Sequence, residues 1–209
     1  LAYSTASHLG LIITGFGFSN IIGAEAASFH ILNHAVFKAS LFMVAGIILH
    51  ETGTQKIKEL SGLRENWPLL AIVATVSGLS MAGIPFLNGF YSKELLFEAS
   101  YHLAHSSGLI LWLVPLVAIM ASVFTFMYSF RFLSVFYGRK TLETHSIPLL
   151  MFLAPAVLSS LAAIIGLFPN KFIHLIVFPA LNSVATGAHN MSVHVIPHLT
   201  PALIMSALT

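Results

Sequence analysis

The chain has 209 residues, and its composition excludes a soluble globular protein. Hydrophobic residues make up 57% of it and charged residues only 8%, against about 25% charged residues in an average soluble domain. Nine Lys and Arg with seven Asp and Glu cannot cover a soluble core of this size, so lipid must cover most of the surface. The net charge of +2 is too small and too scattered to indicate a nucleic-acid partner.

The chain contains no cysteine, which excludes disulfide scaffolds, thiolate metal sites and iron–sulfur clusters. No phosphate-binding glycine loop or nucleophile elbow is present either, so we expect no cofactor. The sequence opens at Leu1 and ends beyond an apolar run at 202–208. We therefore expect residues 1–209 to form a single membrane domain that is truncated at both ends.

The apolar segments predict a bundle of about six membrane-spanning helices, since a span needs roughly 20 mostly apolar residues. We also predict a short interfacial helix in the charged segment 50–66, where Ile57, Leu60 and Leu63 recur at three-residue spacing. Basic residues occur in this loop and again after residue 138, so the positive-inside rule leaves the orientation open. In chain order the predicted helical segments are 1–20, 24–49, 67–83, 90–105, 109–137, 148–167, 172–181 and a last one from about 199, with a loop at 182–197.

The third predicted span is interrupted. Residues 83–89 read GIPFLNG, which combines a proline with flanking glycines. Such a segment is a poor helix, but it is acceptable at membrane depth where protein surrounds it. The predicted fold class is therefore an all-α, polytopic transmembrane helical bundle with one discontinuous helix.

The most informative charge is Lys38, near the middle of the predicted span 24–49. An ammonium there costs about 2.5–3.5 kcal/mol on insertion scales, so it should face protein or water and not lipid. His30 and His34 precede it at four-residue steps, which places all three side chains on one stripe of the helix. Buried lysine and histidine side chains can both exchange protons near neutral pH. The stripe therefore predicts a proton relay.

Lys93 and His8 are further candidates. Lys93 follows the Asn88-Gly89 break, and it is a titratable site if the break lies inside the bilayer or an anchoring residue if the break lies at the interface. His8 is the weaker candidate, because a lone helical histidine is more often a hydrogen-bonded packing residue. A row formed by Glu94, Glu98 and His102 is best interpreted as the solvated side of a helix.

Metal and haem chemistry are less favoured. His30 and His34 have the spacing of a metal pair, but no carboxylate accompanies them and the nearby ammonium repels a cation. Haem ligated by two histidines would require facing histidines on two helices, which one sequence does not exclude. We predict no metal site.

Three runs, LAYSTASHLG, FHILNHAVFKASLF and GIPFLNGFYSKELL, resemble the large antiporter-like subunits shared by respiratory complex I and Mrp-type multisubunit Na+/H+ antiporters. The resemblance extends in the same order from residue 1 to about 140. The run HETGTQKIKELSGL together with His8 is more similar to the large A-type subunit of the Mrp antiporters than to the complex I counterpart, the L-subunit family of NADH-quinone oxidoreductase.

The resemblance implies the C-terminal half of an antiporter-like module plus following helices, with discontinuous helices lining a half-channel. It implies a proton-transferring lysine at Lys38 with histidines at His30 and His34, and a second functional lysine at Lys93. The family's glutamate–lysine pair in the first half of the subunit would precede Leu1 and has no counterpart in these residues.

The implied function is proton translocation within a monovalent cation (Na+)/H+ antiporter, and not enzyme catalysis. The implied partners are other hydrophobic subunits, the lipid bilayer, protons and Na+, in a bacterial cytoplasmic membrane. Two alternatives stay open at this point. One is a proton-pumping subunit of respiratory complex I, which would form part of an NADH-quinone oxidoreductase, and the other is a structural membrane subunit that conducts no ions.

Overall fold

The computed structural model describes residues 1–18, 20–139, 146–183, 193 and 200–209, and within them the regular elements are all helical. Short 3₁₀ turns occur at Ile57–Glu59 and Leu109–Trp112, and a π-helical segment at Ile173–Val177. The α-helices are α1 (Ala2–Gly17), α2 (Ile21–Thr52), α3 (Leu63–Asn66), α4 (Pro68–Ala82), α5 (Asn88–Ser107), α6 (Leu113–Leu133), α7 (Leu149–Leu167), α8 (Pro169–Phe172), α9 (Phe178–Asn182) and α10 (Pro201–Ala207).

Three helical stretches are long and apolar enough to cross a membrane by themselves: Ile21–Thr52, Leu109–Leu133 and Leu149–Leu167. Helix α4 is apolar but has only 15 residues, which corresponds to roughly 22 Å at 1.5 Å per residue. The all-α membrane fold is therefore confirmed, whereas the number of about six spans stays a prediction.

The ends of the helices follow from local chemistry. The Asn20 side chain caps α2 by accepting a hydrogen bond from the backbone N–H of Gly23, and Gly53 ends that helix in the left-handed conformation. Pro68 opens α4 at the position where its missing N–H costs nothing. Gly83, with φ of 91°, closes α4. The capping residue, the proline and the glycines that are visible in the sequence thus set these helix boundaries.

Helix α2 is the centre of the bundle and packs against α1, α4, α5 and α7. At one end its apolar residues join a core with Tyr91 and Ile165, and at the other end a core with Trp67 and Phe136. Helices α1 and α2 are in close contact: a Cβ added to Gly23 would lie only 2.4 Å from the carbonyl oxygen of Gly15. Small residues at such crossings are typical of helices packed in membranes.

Helices α4 and α5 are separated by a turn at residues 83–87, close to the predicted interruption at 83–89. Within the turn Phe86 has a positive φ of 69°. Gly166 of α7 lies directly behind the turn, since a Cβ there would lie 2.3 Å from the carbonyl oxygen of Phe86. Helix α7 therefore packs directly against the backbone of the turn. Whether the two helices form one interrupted span stays a prediction.

Three predicted elements need correction. The interfacial helix through Ile57, Leu60 and Leu63 is wrong as one helix, because a left-handed Gly62 separates the 3₁₀ turn from α3. The long segment 109–137 divides into the 3₁₀ turn, α6 and a set of turns, and the apolar piece at 172–181 belongs to a continuous helical stretch with a π-helical centre. The predicted loop at 182–197 lies mostly outside the described residues.

The two basic segments of the chain are in direct contact. The backbone N–H of Leu63 donates to the carbonyl oxygen of Val135 at 3.3 Å, and that of Arg64 donates to Phe136 at 3.0 Å. The Arg64 guanidinium lies 5.5 Å from the centre of the Tyr137 ring. The loop before α4 and the turns after α6 therefore lie on the same face of the bundle.

Candidate functional site

The predicted stripe on α2 is buried at the contact with α1. His30 is fully buried, Lys38 is 3% exposed and His34 is 9% exposed. From α1, His8 is also fully buried, and its ring stacks on that of His30 with centroids 5.2 Å apart and lies 5.1 Å from that of His34. The structure therefore brings three imidazoles together, and Phe37 packs edge-on against them.

A line of hydrogen bonds runs from α1 through α2 to α5. His8 Nδ1 lies 2.9 Å from His30 Nε2, and His30 Nδ1 lies 2.8 Å from Ser92 Oγ. Every member of this line is buried. A histidine can donate from one ring nitrogen and accept at the other, so such a line is able to pass a proton from ring to ring.

Lys38 has its own acceptors on α1 and α4. Its Nζ donates to the hydroxyl of Ser4 and lies 3.4 Å from the sulfur of Met81. The Tyr128 ring of α6 lies 6.0 Å away, near the limit of a cation–π contact. An ammonium held by one hydroxyl and one thioether is weakly satisfied for a buried charge, since a lysine can donate three hydrogen bonds.

Lys93 lies where α4 ends, beside the turn. It is 5% exposed, and its Nζ donates to the carbonyl oxygen of Ala82 at 3.0 Å. A Cβ added to Gly83 would touch the Lys93 side chain at 3.0 Å. The free carbonyls at a helix C-terminus carry partial negative charge, which suits an ammonium. Lys93 is therefore buried within the protein, beside the end of α4.

Polar side chains fix the start of α5 against α2 and α4. The Asn33 amide donates to the carbonyl oxygen of Asn88 at 2.9 Å, and the Asn88 side chain accepts from the Ser80 hydroxyl. Gly89 lies so close to α4 that a Cβ would be 1.9 Å from the Ser80 carbonyl oxygen. These contacts hold the turn next to the histidines.

Sequence reasoning missed several members of this site. Ser92 and Asn33 are buried connectors that no motif singled out, although each lies next to a candidate, and the bonding role of Asn88 was not indicated by its place in the break. Glu25 on α2 is only 2% exposed, and a carboxylate inside a predicted span is itself a signal of function. The signal was present in the sequence, but small polar residues in membrane helices are too common to be chosen without a structure.

The remaining candidates lie apart. In the row on α5, Glu98 and His102 are exposed, with Glu98 Oε1 3.9 Å from His102 Nε2, as expected of a solvated helix side, whereas Glu94 is half-buried. Among residues 1–18, 20–139, 146–183, 193 and 200–209, no group of three or more His, Asp or Glu side chains could hold a metal ion.

A comparison with protein-family models finds the NADH:quinone oxidoreductase/Mrp antiporter transmembrane family over residues 1–125. The chain belongs to this family. The resemblance drawn from its motifs is thereby confirmed, and the chain is an antiporter-family membrane protein related to complex I. The matched residues include all of α1, α2, α4 and α5, and thus every member of the buried site.

Relatives of this family agree with the assignment. The A1 subunit of the Na(+)/H(+) antiporter of Staphylococcus aureus strains JH9 and JH1 is 36% identical over 228 residues, covering 98% of this chain and 28% of the relative. The chain thus spans just over a quarter of these curated relatives. The Mrp complex of Dietzia sp. DQ12-45-1b matches with a TM-score of 0.83 and 30% identity over 99% of this chain and 22% of that one.

Respiratory complex I of Thermus thermophilus with bound NADH matches with a TM-score of 0.72 and 24% identity, over 88% of this chain and 39% of that one. At this identity the match shows a shared fold alone.

Proposed function

We propose that this chain is the proton-translocating part of a subunit of a multisubunit monovalent cation (Na+)/H+ antiporter of the Mrp type. It would act as a transporter component and not as an enzyme. The similarity to the A1 subunit of Na(+)/H(+) antiporters supports the Mrp assignment over a complex I subunit, since the match to an Mrp complex is also closer in fold and identity. Its partners would be other hydrophobic subunits in a bacterial cytoplasmic membrane.

One observation carries the proposed mechanism: three buried imidazoles lie together, and two buried lysines are near them along α2 and α5. Lys38 lies two turns beyond His30 on α2, and Lys93 follows Ser92, which contacts His30. In the proposed relay, a proton from Lys38 passes through His34, His8 and His30 towards Lys93, which exchanges with one aqueous side through the region of the turn.

The coupling would be electrostatic. Charge on one of two nearby buried groups raises the free energy of charge on the other, so loading one site discharges the next. Movement of a cation elsewhere in the complex can then drive proton movement in this chain, provided that it changes the charge near one lysine. The coupled cation is proposed to be Na+ because of the similarity to the Na(+)/H(+) antiporter subunits.

The test measures Na+-driven proton flux in membrane vesicles that contain the whole complex, with Lys38→Ala and Lys93→Ala. Both variants should lose nearly all flux, because each lacks one of the two buried lysines between which the proton is proposed to pass. Lys58→Ala is the control, since Lys58 is an exposed lysine of the loop before α4. It should transport as the parent does.

Two results would redirect the proposal. Proton flux that needs NADH and quinone, and is indifferent to Na+, would identify a redox-driven pump subunit. Unchanged flux in both buried-lysine variants, with assembly intact, would leave a structural membrane subunit.

A further inference from the structure

Ser92 is a buried hydroxyl that no motif of the sequence assigned to the relay. It lies in the second turn of α5, immediately before Lys93, and is fully buried. Its Oγ is 2.8 Å from His30 Nδ1 and 3.3 Å from the carbonyl oxygen of Gly89, one turn earlier on the same helix. The hydroxyl therefore joins a ring on α2 to the backbone of α5.

The two contacts of Ser92 favour one arrangement of protons. A carbonyl oxygen only accepts, so the hydroxyl hydrogen goes to Gly89 and the oxygen is left to accept from His30. His30 then carries its proton on Nδ1, and its Nε2 is an acceptor. That nitrogen faces His8 Nδ1 at 2.9 Å, so His8 must donate from Nδ1.

The same arrangement of protons accounts for a buried ring nitrogen of His8 that makes no hydrogen bond within the described residues. His8 Nε2 is buried and has no hydrogen-bond partner among the described residues. If His8 is protonated on Nδ1, this Nε2 is a bare lone pair that is able to take up a proton. It lies on the ring that is 5.1 Å from the ring of His34, whose buried Nε2 also lacks a partner within the described part of the chain.

We propose that Ser92 is the positioning residue of the relay: it sets the tautomer of His30, and through it that of His8, so that the lone pair of His8 Nε2 is free to receive a proton. A proton that arrives at His8 Nε2 releases the Nδ1 proton to His30 Nε2. His30 in turn gives its Nδ1 proton to the Ser92 oxygen, and the Ser92 hydroxyl gives its own proton to the neutral amine of Lys93, the acceptor at the end of the proposed relay. After this transfer the ring tautomers are reversed, and a rotation of the rings and the hydroxyl restores them.

This inference rests on the proposed function, because it assigns Ser92 a role in the same relay. The matched control is Ser100, a second fully buried serine of α5 whose hydroxyl donates to the carbonyl oxygen of Phe97 at 2.7 Å. Ser92→Ala and Ser100→Ala thus remove the same group, from the same helix, with the same local bond. Only Ser92 contacts a histidine ring.

The test uses the full complex labelled with ¹⁵N-histidine and reads the ring tautomers by solid-state NMR in lipid, alongside proton flux. His30→Gln identifies the His30 signal. Ser92→Ala should convert that signal from the Nδ1–H form to a mixture, and should lower flux about tenfold, the loss expected when about one buried hydrogen bond is removed. Ser92→Thr should restore both, and Ser100→Ala should alter neither.

The outcomes separate the two claims. An unchanged His30 signal in Ser92→Ala overturns the role of Ser92, whatever the flux. A changed His30 signal with normal flux in Ser92→Ala also overturns the role of Ser92. If His30→Gln transports normally as well, the proposed histidine relay itself is overturned. A loss of flux in Ser100→Ala equal to that in Ser92→Ala would show a packing effect and not positioning.

Discussion

The acceptors of Lys38 are few, and each can be removed separately. The Ser4 hydroxyl accepts from Lys38 and itself donates to the carbonyl oxygen of Leu1 at 2.6 Å. Met81 offers only a sulfur, which is a weak acceptor. The oxygen of Ser4 is therefore the stronger of the two contacts that hold the amine between α1, α2 and α4.

We expect Ser4→Ala to destabilise the complex and slow proton flux. A hydrogen bond to a charged group contributes about 1.5–3 kcal/mol, and its loss leaves the amine with the sulfur. The measurement is the thermal midpoint of the purified complex together with flux in vesicles. Ser7→Ala is the control, since Ser7 is a partly buried serine of the same helix. Equal effects of the two variants would contradict the assigned role of Ser4.

Among the described glycines, Gly89 is the one at which an added methyl group should destabilise the fold most. A Cβ there would overlap the carbonyl oxygen of Ser80 at 1.9 Å, and backbone atoms cannot rotate away. Gly89→Ala should separate α5 from α4 and cost at least the roughly 1–3 kcal/mol typical of overpacking. Gly10→Ala, on α1 with nothing within 4 Å, should be close to neutral. A comparable yield and thermal midpoint for both would refute the close contact.

At the level of elements, serines connect the three helices α2, α4 and α7. The Ser77 hydroxyl of α4 donates to Ser40 of α2 at 2.8 Å, and Ser40 donates to the carbonyl oxygen of Pro155 at 3.0 Å. Pro155 lies inside α7, so the bond to its carbonyl oxygen joins the side chain of Ser40 to the backbone of a third helix.

Ser40→Ala should therefore remove two interhelical hydrogen bonds at once. Such bonds contribute about 0.6 kcal/mol each on average in membrane proteins, so we expect a loss near 1 kcal/mol in the free energy of unfolding. Ser122→Ala is the comparison, because Ser122 Oγ is buried without a partner among the described residues and its removal should be neutral. A loss in Ser122→Ala as large as in Ser40→Ala would argue that burial alone, and not bonding, sets the effect.

Elements were predictable from the sequence where one physical rule dominated. Length and hydropathy located α2 and α7 to within three residues at their ends, and the prolines and glycines located the turn after α4. The stripe of His30, His34 and Lys38 followed from helical periodicity. The other site residues could not be predicted, because their contacts form only when the helices pack together. His8 contacts His30 from another helix, and Ser92, which is 62 residues away in sequence, contacts His30 from a third.

For the whole molecule, the contact between the basic segments bears on how the chain crosses the membrane. Because Arg64 hydrogen-bonds to Phe136, the start of α4 and the end of α6 lie on one face. Helix α6 with its preceding turn is long enough to cross, so residue 109 should lie on the opposite face. Helices α4 and α5 together would then make one net crossing, which supports the expected interrupted span.

The same contact predicts an orientation. Lys58 and Arg139 are exposed on this face, in company with Arg64, and short loops rich in Lys and Arg face the cytoplasm. Single cysteines can report this, since the chain contains none of its own. In an otherwise cysteine-free complex, Lys58→Cys and Arg139→Cys should react with a membrane-impermeant thiol reagent only from the cytoplasmic side.

The opposite face supplies the matched positions. Ile21 begins α2, which ends near the basic loop after 32 residues, and Leu109, 88% exposed, joins α5 to α6. Ile21→Cys and Leu109→Cys should therefore react only from the external side. If Lys58→Cys and Arg139→Cys reacted from different sides, α6 would not return to the face on which α4 begins. If Leu109→Cys reacted with them from the cytoplasm, α4 and α5 would form a re-entrant hairpin, and Lys93 would exchange protons with the same side as the basic loop.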